Sequence, residues 1–134
     1  MNWASRYVGL PWLPKGRSAD GVDCWGLVHL VYREVLDLPL LSYVMDYTTP
    51  EELAQVRRLF EGGQASGDWT QVDEFQPLDV LLFRRGRYPS HVGLYVRQNL
   101  MLHVDAHEQS RLVPYNSPRW RPRLIGGYRH ITRI

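Results

Sequence analysis

The chain has 134 residues, 44% of them apolar and 12% aromatic, with a net charge of +2 and one cysteine. That supplies one core and a single domain, residues 1–134, and it excludes a disulfide framework, a cysteine-rich zinc site and a long apolar membrane span. The arginines are scattered singly or in pairs, as at Arg57-Arg58 and Arg84-Arg85. They read as solvated surface, not as a nucleic-acid footprint.

Residues 2–9 read as a short helix capped by Asn2 and ending near Gly9 and Pro11. Residues 10–22, with two prolines and two glycines, read as loop. A helix then begins at Asp23. Leu27, Val28, Leu30, Val31, Val35 and Leu36 give it a broad apolar face, and Pro39 lies just beyond its end. A second helix opens at Thr49, with Pro50 in its first position and Glu52 where a capping-box Glu belongs, and stops at Gly62-Gly63. From residue 70 the pattern changes to strands. Leu78–Phe83 reads as a buried strand, and His91–Val96 alternates with Val92, Leu94 and Val96 on one face and His91, Gly93 and Tyr95 on the other. Leu100–Val104 reads as its hairpin partner across Arg97-Gln98-Asn99, and residues 111–114 and 124–132 add further strands. Helices first and an antiparallel meander after them indicate an α+β fold.

Cys24 stands at the mouth of the first long helix. Free N–H groups and the positive dipole end favour a thiolate there, and the same N–H groups can hold an oxyanion. A cysteine nucleophile needs a base, and a base needs a group that fixes its ring. His91 opens a strand with Gly93 beside it on the same face, and His103 lies on the next strand. Side-chain parity decides whether these two meet. An odd loop, such as three residues at 96–98, puts them on one face and directly opposite; an even loop without a bulge puts them on opposite faces. The alternation of His103, Asp105 and His107 could also be read as a metal site, but that leaves Cys24 unexplained and needs no metal. His107 reads as surface, and His29, inside the helix, as partnered or exposed.

Gly21-Val22-Asp23-Cys24-Trp25-Gly26-Leu27-Val28 resembles the nucleophile motif of the NlpC/P60 peptidases. Ser90-His91-Val92-Gly93-Leu94-Tyr95 resembles their base motif, Leu102-His103-Val104 the strand of the third polar residue, and Gln76–Phe83 the strand before the base. The resemblance implies a papain-like fold, with the Cys24 helix packed on an antiparallel sheet carrying His91 and His103. It implies a cysteine peptidase that cuts peptidoglycan stem peptides, often between D-glutamate and diaminopimelate, with no cofactor or metal. Trp12 stands where many members carry Tyr; with Asp23, Trp25 and Ser90 it is expected at the oxyanion site or substrate groove. Pro14-Lys15-Gly16 replaces a usual Gly-Gly, and Leu78 stands where Gly is common.

Trp25 and the segment 120–129 look most like phage-tail-associated members. Residues 1–6 carry no secretory signal pattern. The expectation is therefore a hydrolase made in the bacterial cytoplasm and carried on a virion tail tip to the host wall, its partners the stem peptide and other tail-tip or baseplate proteins. Two rivals remain: a structural tail-tip component with little activity, and another Cys–His amidase or acyltransferase. A pocket with charged groups that grip a carboxylate would favour the peptidase; a long apolar channel would favour lipid acyl groups.

Overall fold

A computed structural model describes residues 2–40, 69–86 and 88–134 of the chain. At its start the Asn2 side chain accepts the Ala4 N–H at 3.0 Å and caps the short helix expected there, which is a 3-10 helix over Trp3–Tyr7. Gly9, at φ 90°, turns the chain away. The expected loop holds a small hairpin, β1 (Arg17–Ser18) with β2 (Gly21–Val22). Helix α1 spans Cys24–Val35. Asp23 is its extended N-cap and accepts the Gly26 N–H at 2.7 Å. Leu27, Val28, Leu30 and Val31 are buried as the spacing predicts, with Trp25 and Tyr32 beside them. The helix expected from Thr49 to Gly62-Gly63 lies outside the described residues.

The remaining strands are β3 (Trp69–Val72), β4 (Val80–Arg85), β5 (Tyr88–Arg97), β6 (Leu100–His103), β7 (Arg111–Pro114) and β8 (Leu124–His130). They form one antiparallel sheet in the order β3-β8-β4-β5-β6-β7. From β4 to β7 it is the expected meander. β8 departs from it by returning between β3 and β4. One helix on an antiparallel sheet makes the chain α+β.

The strand expected at Leu78 starts at Val80, because Leu78 is held at φ 77°. Asp79, fully buried, accepts the Gln76 N–H at 2.7 Å and takes Arg129 on both oxygens, at 2.9 and 2.8 Å. A carboxylate this deep persists only when paired. The pairing ties the head of β4 to β8.

Alternation divides the sheet's apolar side chains into two layers. Val80, Leu82, Val92, Leu94 and Leu102 pack in one cluster with α1, whereas Leu81, Phe83 and Met101 pack in another with Trp120. The loop before β1 lies against the first turn of α1. A Cβ on Gly26 would fall 1.9 Å from the Gly16 carbonyl oxygen and 2.9 Å from Asp23 Oδ1. Gly26→Ala is therefore expected to cost about 1–3 kcal/mol as overpacking against backbone. Thermal denaturation checks it; an unchanged midpoint would mean that the loop shifts at no cost.

Candidate functional site

His91 and His103 meet through a register the hairpin loop alone would not give. Arg97 pairs with Leu100, so the turn itself is two residues, Gln98-Asn99, with Asn99 at φ 67°. An even turn would put the histidines on opposite faces. Between Tyr95 and Arg97 the register shifts, leaving Val96 as the extra residue of a β-bulge. The bulge restores parity, and Leu94 pairs with Leu102. Continued by one residue, that register sets His103 beside Gly93 and not directly opposite His91, so the expected three-residue loop is corrected while the shared face is kept. A Cβ on Gly93 would lie 3.4 Å from the His103 Cβ. Its absence lets the His103 ring lean diagonally to His91, and His91 Nε2 lies 2.9 Å from His103 Nδ1. On the other side, Phe83 pairs with His91 and Arg84 with Pro89, which makes Ser90 the extra residue of a second bulge immediately before the base.

The ring of His91 is enclosed. It stacks on Trp120, with centroids 5.0 Å apart and planes at 21°, and His103 meets the same indole edge-on at 5.0 Å. Arg85 Nη2 lies 3.1 Å from His91 Nδ1. A guanidinium can only donate, so Nδ1 is an acceptor here. The proton of neutral His91 is then on Nε2, donated to His103 Nδ1. Burial pushes His91 well below its ordinary 6.5, with His103, Arg85 and Arg119 acting in the same direction. Burial also lowers His103, to about 4; Asp105 opposes that shift, and Arg119, Arg111 and Arg85 add to it. Both rings are thus neutral at pH 7.

Cys24 opens α1 and is 3% exposed, in the cluster with Val92, Leu94 and Val104. α1 packs against β5, but the histidine rings belong with Phe83 and Trp120, so different clusters hold the two halves of the set. Around the helix mouth, Asp23 does three things. It caps α1, accepts the Lys15 N–H at 2.8 Å and pairs with Arg17 at 2.9 Å. Its carboxylate is spent on backbone and on Arg17, which makes it an anchor for the loop and not a groove residue. Trp25, also expected near the groove, is 1% exposed and packs edge-on to Trp69. Trp12 bridges Val22 and packs on His107, ring centroids 4.5 Å apart. Asp105 takes Arg85 and Arg119, and no metal-holding group of three such residues occurs among the described ones. Sequence reading missed Arg85 and Trp120 at the histidine pair. Arg85 looked like half of a surface Arg-Arg pair, and only the parity of β4 could have shown that it turns inward.

The NlpC/P60 family pattern matches residues 9–129. The murein DD-endopeptidase MepS/murein LD-carboxypeptidase of Escherichia coli is 24% identical over 135 residues, covering 99% of this chain and 62% of that protein. The gamma-D-glutamyl-L-lysine dipeptidyl-peptidase of Bacillus cereus is 24% identical, covering 98% of this chain and 35% of that protein. The chain therefore spans less than two thirds of either relative. The NlpC/p60 domain of the peptidoglycan hydrolase SagA shares the fold, with a TM-score of 0.58 at 19% identity over 85% of each chain.

The histidine pair makes stability depend on pH with a definite sign. Between about pH 4 and 6.5 the unfolded chain binds a proton at His103 that the folded chain refuses. Stability therefore rises with pH through that window and is lost as the pH falls, by on the order of 3 kcal/mol from this residue. Urea midpoints taken at about pH 7 and about pH 4 should fall less steeply for His103→Asn than for the parent. Equal slopes would mean that His103 titrates normally in the fold.

Proposed function

The chain belongs to the NlpC/P60 family, and on that premise we propose that it is a cysteine peptidase hydrolysing peptidoglycan stem peptides. The observation that carries the reading is the His91–His103 contact at 2.9 Å, on the sheet against which the Cys24 helix packs. It supplies a base with an orienting partner.

In this reading His91 Nδ1 takes the Cys24 proton, because the Nε2–H bond to His103 leaves that nitrogen as the acceptor. Arg85 donates to Nδ1 in the resting arrangement and gives way to the thiol. The thiolate attacks the peptide carbonyl carbon, and the oxyanion is held at the open turn of α1, where the Cys24 N–H lies. His91 returns the proton to the leaving amine. Water, deprotonated by His91, then attacks the thioester and releases the new carboxylate and Cys24. His103 keeps the ring in place by accepting the hydrogen bond of its Nε2–H throughout. The bond between D-glutamate and the following diamino acid is the proposed target, in line with the gamma-D-glutamyl name of one relative. Carriage on a phage tail tip is a further part of the proposal, resting on Trp25 and the segment 120–129; finding the chain in purified particles by mass spectrometry would support it, and particles free of it would remove it.

Digestion of diaminopimelate-type peptidoglycan should release stem-peptide fragments with the parent chain and none with Cys24→Ala. Fragment masses identify the bond. Alkylation of Cys24 by iodoacetamide at neutral pH should slow about tenfold or more in His91→Ala, since neutral His91 takes the thiol proton as the sulfur attacks. A folded parent chain that releases nothing, or an alkylation rate indifferent to His91, would remove the reading.

A further inference from the structure

Beside the histidine pair lies an open pocket of about 220 Å³ lined by Arg85, Gly86, Asp105, Arg119, Trp120 and Arg123. Three guanidiniums face one carboxylate there. Asp105 is taken by Arg85 and Arg119 together, and among the described residues no carboxylate pairs with Arg123. Arg119 and Arg123 are held over the Trp120 ring, with Cζ at 5.1 and 5.9 Å from its centroid. A guanidinium attracted to an indole face keeps N–H donors that can still reach a ligand. The same Trp120 stacks on His91, and Arg85 bonds His91 Nδ1, so the pocket shares two walls with the proposed base. A Cβ on Gly86 would meet nothing within 4 Å, which leaves that side clear. The volume suits a carboxylate-bearing group and is below the size of a cofactor pocket.

We propose that this pocket is a subsite for a carboxylate of the peptide substrate, gripped by Arg119 and Arg123 over Trp120, with Arg85 at its inner wall. The inference deepens the peptidase reading and rests on it for the substrate class. A planar, forked donor set matches a carboxylate in bidentate fashion. A pocket so charged does not suit a lipid acyl chain. The stem tripeptide offers three carboxylates near the proposed bond, the α-carboxylate of D-glutamate and the two of diaminopimelate, and the pocket chemistry is the same for each.

The test is isothermal titration of the Cys24→Ala chain with L-alanyl-γ-D-glutamyl-diaminopimelate and with the peptides amidated singly at each carboxylate. One amide is expected to bind about tenfold or more weakly than the acid, the loss of a charge-assisted fork, and which amide does so identifies the carboxylate. Arg119→Gln and Arg123→Gln, both in exposed side chains, should bring the acid down to that amide's affinity with the thermal midpoint unchanged. Equal binding of all four peptides, no binding of any, or full acid preference in both variants would overturn the subsite. If the acid preference stands but the parent chain releases no peptidoglycan fragments, the pocket is supported and the peptidase reading falls.

Discussion

The pairing of β5 with β6 is the constraint on which the site depends. A two-residue turn alone gives the wrong parity, and the extra residue at Val96 corrects it. The correction carries a geometric consequence. His103 sits beside Gly93, and it reaches His91 on the diagonal because no Cβ stands between them. A diagonal neighbour on an antiparallel pair is within reach only of a long or ring-bearing side chain, so histidine at 103 and glycine at 93 act as a unit. The second bulge, at Ser90, works from the other side. It lets Phe83 pair with His91 while Arg85 pairs with Tyr88 at the hairpin's end.

Burial dominates the electrostatics of the two rings. His91 is enclosed by Trp120, Phe83 and His103, and desolvation is the largest influence on both histidines. Asp105 pulls His103 the other way, but its charge is already shared between Arg85 and Arg119, which weakens its hold on a neighbouring proton. The arginines therefore serve two ends. They add to burial in keeping the histidines neutral, as a base must be before it acts, and they leave positive charge at the rim of the same cluster.

Two anchoring carboxylates hold the surrounding parts in place. Asp23 joins the helix cap to the loop through Lys15 and Arg17, and Asp79 joins β4 to β8 through Arg129 and to the C-terminal turn through Arg133. Each lies next to a residue in left-handed backbone, where glycine is favoured: Lys15, at φ 62°, bonds Asp23, and Leu78, at φ 77°, precedes Asp79. The family resemblance places Gly at or near both. Left-handed backbone costs about 1–2 kcal/mol per non-glycine residue. At Leu78 the buried side chain and the bonds of its N–H and carbonyl to Tyr95 and Tyr32 offset it.

The sequence by itself determined the α+β class, the capping of α1 by Asp23, the β5–β6 hairpin and the two candidate histidines on it, because each is a local matter of capping, spacing and alternation. It also determined the alternatives for that pair, reducing them to one question of parity. Only the tertiary structure decided the answer, since a bulge is a property of two paired strands and leaves no periodic mark in one. The same holds for Trp25, whose place after the nucleophile points to a groove but whose indole fills the core against Trp69, 44 residue positions further along the chain. It holds for Arg85 and Trp120 most of all. They are 35 positions apart in sequence, and only the return of the chain over the sheet brings a charge and a ring together on His91.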